Sequence, residues 1–441
     1  MINVERSRRV ISLALPIIGG MLSQNILNLV DIFFVKSLGS AALAAAGIGG
    51  FANFVSVALI LGVSTGVQAT VARRKGEGVK DELAKPLNTG LLIALVAGFF
   101  IASALYLAIP HLYHYLNDDP EVITLGSSYL QVRMVGLTFI GLNFAFRGYW
   151  NGINLSKVYM STLIIMHMIN VVMNYMLIFG NWGAPALGLE GAAWGTNISL
   201  MCGTMIYIFM GFKLAARNGF LSTLPTWTEL RHMINLSLPS GIQQLFFSAG
   251  LLAFYGIVGR IGTVELAAAN ILTNLMLVAI LPSMGLGLAA ASLVGQALGR
   301  KDPGDAMAWG WDVAKLGSIL IVLLCMPMYF APNLVLSPFS PDETVLATAI
   351  SPLFIIALYM PFDAVGLVIM NALLGAGATK SVMRISMSLQ WLIFLPCAYL
   401  SVEYGGVGFV GIWLMQALYR LMQAVFFITK WRAGAWASIK V

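Results

Sequence analysis

Twelve stretches of this chain are each apolar for long enough to cross a bilayer, and little else is left over. They run over roughly 10–35, 41–71, 86–109, 122–147, 156–179, 187–212, 233–258, 264–298, 313–331, 345–374, 381–400 and 406–429. A spanning helix needs about 20 apolar residues, because only then are its backbone hydrogen bonds closed within one segment across the hydrocarbon. Hydrophobic residues fill 59% of the 441 positions and charged residues 10%, against about 25% charged in a soluble domain. A soluble fold is excluded. The polar connection over 213–232 leaves no room for a soluble catalytic domain. The chain is expected to be an all-α polytopic membrane protein.

Arg6, Arg8 and Arg9 precede the first apolar run, as they would in a secretory signal. That run is far longer than a signal core of about 7–15 residues, and it carries Gln24, Asn28 and Asp31. It reads as an uncleaved first span. With the N-terminus inside, twenty Lys and Arg residues, from Arg6 to Lys440, fall on the cytoplasmic side, and only Lys36 and Arg260 fall outside. The positive-inside bias therefore predicts both termini in the cytoplasm. It also explains the net charge of +7 without a nucleic-acid partner. Cys202, Cys325 and Cys397 lie far apart in separate spans and suggest neither disulfides nor a metal site. Trp182, Trp309, Trp311, Trp431 and Trp436, near span ends, are expected in an interfacial aromatic belt.

A shift of 223 residues lays one half of the sequence on the other. Leu15-Pro16 meets Leu238-Pro239, Gly39 meets Gly262, and Leu43-Ala44-Ala45-Ala46 meets Leu266-Ala267-Ala268-Ala269. Gly76 meets Gly299, and Gly152 and Lys157 meet Gly375 and Lys380. Six spans separate the copies, so equivalent helices run in the same direction and the repeats are parallel. The expectation is twelve transmembrane helices in two parallel six-helix repeats around a central cleft. Residues 1–212 would form the N-terminal bundle, 213–232 a cytoplasmic linker and 233–441 the C-terminal bundle.

Of eighteen acidic residues, only Asp31 and Asp363 lie deep within long apolar segments. A carboxylate at the centre of a membrane helix costs about 2.5–3.5 kcal/mol on insertion scales and usually marks an ion path. Gln24, Asn28 and Asp31 share one face of the first span, at i, i+4 and i+7. His167, Asn170 and Asn174 share one face of the fifth, and Thr196 and Asn197 follow in the sixth. Together they offer a carboxylate, amide oxygens and a hydroxyl, a hard-oxygen set for Na⁺ or a setting for a protonatable Asp31. Amides that merely hold helices together are the structural alternative. In the tenth span Tyr359 and Asp363 form an i, i+4 pair beside Pro352 and Pro361. Arg147 and Arg420 stand near enough to span ends to snorkel, whereas Arg133 is deeper. Phe247, Phe254, Met276 and Met360 are apolar candidates for an adaptable cleft, with Gln24, Asn28 and His167 as its polar side.

The chain resembles the MATE (multidrug and toxic compound extrusion) family. The likeness rests on Leu15-Pro16 followed by Asp31-Ile-Phe-Phe, Gly39 with its alanine run, and Phe146-Arg147-Gly148 through Asn151-Gly152 to Lys157. It continues in Asn170 and Asn174 before Ile178-Phe179-Gly180, Gly191-Ala-Ala with Thr196, and Gly375 through Lys380. Features of two branches mix. Asn174 stands where the DinF-like branch has an Asp. Tyr359 with Asp363 looks NorM-like, while the seventh-span acid of that branch is replaced by Phe247 or Gln244.

The resemblance implies a secondary active antiporter of the inner membrane. It would export bulky, often cationic organic compounds in exchange for H⁺ or Na⁺ by alternating access, without a cofactor and as a monomer among membrane lipids. Asp31, Asn170, Asn174, Thr196, Tyr359 and Asp363 would be the coupling-ion residues, with Na⁺, if used, at the first four. Protons are preferred, since the N-terminal pocket has one carboxylate. A lipid-linked sugar flippase would want a strongly basic cleft, which a lone deep Arg133 does not supply. An intramembrane protease would want a Tyr-Asp or Gly-x-Gly-Asp setting, or a paired Ser and His, and none is present. No enzyme activity is expected.

Overall fold

The computed structural model describes residues 4–339 and 342–439; Lys440, counted above among the basic residues, lies outside them. Every regular element among the described residues is helical. The first half holds α1 (Val4–Lys36), α2 (Ser40–Gly76), α3 (Lys85–Leu112), α4 (Pro120–Val135), α5 (Leu137–Gly152), α6 (Ser156–Phe179) and α7 (Leu189–Leu214). The second holds α8 (Trp227–Gly259), α9 (Thr263–Gly299), α10 (Pro303–Phe330), α11 (Pro332–Leu336), α12 (Glu343–Gly375), α13 (Thr379–Met387), α14 (Leu395–Glu403) and α15 (Phe409–Arg432). A π-helical stretch, Ser388–Phe394, makes α13 and α14 one span. Among the described residues eleven helices are long and apolar enough to cross a membrane, and the pair α4–α5, bent by 45°, makes a twelfth when counted as one span.

The internal repeat is written into the helix lengths. α1 and α8 have 33 residues each, and α2 and α9 have 37 each. α4 and α12 start 223 residues apart, and so do α6 and α13. Equivalent aspartates begin two of these helices. Asp119 accepts the Glu121 N–H and Asp342 the Thr344 N–H, both at 2.9 Å, which satisfies donors that a first turn leaves free. The hydrogen bonds from Thr344 hold the exposed Asp342 carboxyl below its usual range.

The copies part at Gly136. There Asn197 of α7 donates to the Val132 carbonyl at 2.5 Å, and a Cβ on residue 136 would collide with its Oδ1. The α4–α5 bend is thus held open by a side chain, and Asn197 serves this break rather than the polar pocket. The equivalent position in the second copy is Tyr359, and α12 runs unbroken through it and through Pro352 and Pro361.

Packing divides the chain inside helices and not at the 213–232 connection. One compact unit is Gly19–Ile242; the other is Met1–Ile18 together with Gln243–Val441. Both boundaries lie two or three residues past a helix proline, Pro16 or Pro239, whose ring removes a ladder N–H. In the first unit the start of α8 lies backbone to backbone on α2. A Cβ on Gly62 would strike the Ser237 carbonyl, and one on Gly241 would strike that of Leu59. In the second unit Gly285 of α9 faces Ile18 of α1, whose side chain a Cβ there would strike. Gly62 and Gly285 are equivalent positions, as are Gly241 and Ile18.

The start of α1 is also clasped in that second unit. Arg6 reaches Asp305 at 3.1 Å and Asp312 at 2.8 Å, with its guanidinium 3.9 Å over the Trp309 ring. Trp309 is therefore buried. Trp431 and Trp436 are buried too, stacked at 4.0 Å. Of the five tryptophans expected in an interfacial belt these three are packed inside, where each finds aromatic or cationic partners, and Trp182 is exposed.

Candidate functional site

The polar stripes of the first, fifth and sixth spans meet inside the Gly19–Ile242 unit. Asp31 of α1 accepts from the Asn174 amide at 2.7 Å, and the same amide donates to Asn170 Oδ1 at 3.0 Å. Asn170 in turn donates to Thr196 Oγ1 at 3.1 Å, and Thr196 donates to the Ala192 carbonyl one turn back on α7. Each step follows from helical spacing. Asn170 and Asn174 are one turn apart on α6, so both face α1 and α7 together. Asn170 and Asn174 are fully buried and Asp31 is half-buried.

Three features distinguish this cluster from amides that merely hold helices together. Asp31 has no salt-bridge partner among the described residues; its partner is a neutral amide. Asn174 Oδ1 is buried without a hydrogen-bond partner, a costly state inside a protein. It abuts Gly195, where any side chain would collide with it. Arg133 of α4 is close enough for its charge to act on Asp31, yet its Nε is buried and unpaired. The site thus holds one carboxylate and a spare acceptor, with uncommitted charge nearby. Among the described residues no cluster of three His, Cys, Asp or Glu side chains is present, so a transition-metal cage is not what these donors build.

The other half of the first stripe lies toward the surface of the unit. Gln24 and Asn28 are exposed, Gln24 Nε2 donating to Asn28 Oδ1 at 3.3 Å, and His167 Nε2 meets Gln24 Oε1 at 3.2 Å. They continue the path from Asp31 along α1.

The C-terminal candidates are arranged differently. Asp363 is buried, and Arg420 of α15, also buried, holds its carboxylate at 2.7 Å. The other guanidinium nitrogen donates to Gln423 at 3.0 Å. Arg420 therefore does not snorkel; its charge stays inside because a carboxylate meets it there. The Tyr359 hydroxyl donates to the Met276 sulfur at 3.7 Å and leaves Asp363 to Arg420. Arg147, the other arginine expected to snorkel, is half-buried and donates to Ser64 at 3.1 Å.

Phe254, Met276 and Met360 do not line a cleft. They are 2%, 6% and 1% exposed and sit in the core of the C-terminal unit, with Phe254 packed on Phe394 and Trp413. Phe247 is half-buried, its carbonyl accepting from Gln390 at 3.4 Å. Sequence reasoning missed the Asp363–Arg420 pair because 57 residues separate the partners; the only signal was a charge of opposite sign within another span.

Comparison with known proteins agrees with the repeated fold. The MatE family model matches twice, over residues 16–176 and 239–400, so the matches begin at the two equivalent prolines. A Thermotoga maritima chain described as a probable multidrug resistance protein NorM is 24% identical over 98% of this chain and 94% of its own length. An Agrobacterium fabrum chain of the same description is 28% identical over 91% of this chain and 88% of its own. The fold superposes on an outward-facing multidrug resistance MATE family transporter of the MOP superfamily with a TM-score of 0.89. That match has 20% identity and covers 99% of this chain and 97% of the other. A family model matched over both copies, twelve spans and a fold shared along the whole length have one common reading: the chain belongs to the MatE family.

Proposed function

We propose that this protein is a secondary active antiporter of the cytoplasmic membrane, exporting bulky, often cationic organic compounds in exchange for H⁺ by alternating access. The observation that carries the reading is Asp31, a carboxylate held only by the Asn174 amide at 2.7 Å. Membership of the MatE family and relatives described as multidrug resistance proteins support the substrate class. With α4–α5 counted as one span the helices number twelve among the described residues, and the positive-inside bias of the basic residues supports cytoplasmic termini.

A carboxylate without a resident cation in a membrane interior binds whichever cation reaches it. A proton and a lipophilic organic cation then compete for Asp31, and each displaces the other. Asp31 lies five residues before the end of α1, about 7.5 Å along the axis, so release toward that face needs a short path. The Asn174 N–H points at Asp31 Oδ1, which leaves Oδ2 to take a proton. Sodium would instead require the Asn174 amide to present its oxygen. A polyanionic lipid-linked sugar would find only Arg133 uncommitted, since Arg420 and Arg147 are engaged with Asp363 and Ser64. The test is efflux of a fluorescent lipophilic cation from reconstituted vesicles under independently imposed gradients. A pH gradient in Na⁺-free buffer should drive efflux. Strict dependence on Na⁺ at fixed pH would replace the proton by sodium, and efflux under neither gradient would end the antiporter reading.

A further inference from the structure

The second buried carboxylate already has its cation. Asp363 and Arg420 are almost wholly buried, their side chains 3% and 8% exposed, and the contact is 2.7 Å. Arg420 spends its other nitrogen on Gln423 at 3.0 Å. Charge is thereby balanced locally, which is the condition for keeping an ion pair in a low-dielectric interior. A free cation could reach Asp363 only by displacing a guanidinium that is tethered to the chain and cannot leave.

The repeat shows what the pair stands in for. α5 and α7 of the first copy are joined by Asn143, which donates to the Leu200 carbonyl at 3.2 Å and accepts from Thr204 at 2.9 Å. The counterparts of these helices are the second half of α12 and α15, which begins 220 residues after α7. By that spacing Arg420 is the counterpart of Leu200, and Asp363 lies one turn before the counterpart of Asn143, Gly366. The charged pair thus joins the helix pair that the first copy joins with a neutral amide. Asp31 in the first copy makes no ion pair among the described residues: its contact is Asn174, and Arg133 acts on it only through its charge.

We infer that Arg420 is the resident cation of Asp363, so that the C-terminal unit takes up no coupling ion and exchange runs on the single carboxylate Asp31. The inference rests on the antiporter reading, and it assigns Arg420 as the residue that sets the number of ions coupled. Removing the guanidinium should open Asp363 as a new cation site.

The experiment counts bound cations on purified full-length protein, with radioactive sodium and with a dye that reports protons taken up in a pH jump. Wild type should bind one cation. Asp363→Asn should still bind one, Arg420→Gln should bind two, and Arg420→Gln with Asp363→Asn should return to one. Loss of the wild-type site in folded Asp363→Asn would overturn the inference, as would a folded Arg420→Gln protein that gains nothing. If Arg420→Gln alone does not fold, the charge-neutral double variant decides, since it keeps neither charge. It should exchange substrate with the wild-type ion-to-substrate ratio, and a folded double variant with a lowered ratio would overturn the inference. Asp31→Asn separates the two readings. If it still binds one cation and still exchanges, the antiporter assignment at Asp31 fails, whatever Arg420 does.

Discussion

Each packing unit contains one membrane aspartate, and the two are held in opposite ways. Asp363 is fixed by a guanidinium at 2.7 Å; Asp31 is fixed at the same distance by an amide. Equal bond lengths conceal unequal electrostatics. An amide lends only a dipole, and Arg133 acts on Asp31 without contact, whereas a guanidinium in direct contact cancels the charge of Asp363. In a membrane interior that difference decides whether a carboxylate serves as a fixed strut or as an exchange site. On the proposed reading, the two repeats share a fold while only one copy keeps the exchange chemistry.

The comparison can be broken most severely at Asp31. Asp31→Asn keeps the shape and removes the charge, so gradient-driven efflux in vesicles should fall to background while the protein still folds and inserts. Robust transport by that variant would mean the uncompensated carboxylate is not the exchange site.

The next effect is on stability, and it belongs to the other unit. Removing one partner of a buried pair strands the second charge at a cost of about 3–5 kcal/mol. Arg420→Met should therefore lower thermal stability sharply in detergent, and adding Asp363→Asn should recover much of the loss. A single variant as stable as wild type would show that the pair is not balanced as drawn.

Asn174 sharpens the contrast further. A hydrogen bond to a charged group is worth about 1.5–3 kcal/mol, so Asn174→Ala should change efflux or its gradient dependence by on the order of tenfold. Asn170→Ala, one bond further out, should act in the same direction but less. Equal and negligible effects of both would mean that the chain from Asp31 to Thr196 is cohesive only.

The smallest expected effect tests the equivalence of the copies. Asp119 and Asp342 cap corresponding helices, so alanine at either should give a small and similar loss of thermal stability. For Asp342 the hydrogen bonds lower the carboxyl's proton affinity. Its contribution is present above the ordinary carboxylate range and is lost as pH falls through the depressed folded value. A melting series below neutral pH should show the Asp342→Ala difference vanish in acid.

The spans were readable because a bilayer demands long apolar runs, and each of the twelve stretches falls on a helix or a bent pair of helices. The repeat was readable because Pro16 and Pro239, with Gly39 and Gly262, mark helix features at a fixed spacing. The convergence of Asp31, Asn170, Asn174 and Thr196 followed from spacing on three helices. What stayed hidden depends on contacts between distant segments. Arg420 resembled a snorkelling residue because nothing local to it shows that Asp363 lies opposite. Phe254, Met276 and Met360 resembled cleft residues because an apolar side chain looks the same in a core, in a cleft and in lipid. The unit boundaries inside α1 and α8 were hidden as well, since a helix carries no mark of which neighbour each half packs against.

The most direct measurement is the release of bound cation when a lipophilic cation such as tetraphenylphosphonium is added to purified protein. Protons would be followed with an indicator dye and sodium with an electrode, for wild type, Asp31→Asn and Asp363→Asn. Wild type and Asp363→Asn should release the same amount of one ion, and Asp31→Asn should release none. Release that survives Asp31→Asn, or that disappears in folded Asp363→Asn, would contradict exchange at Asp31 alone.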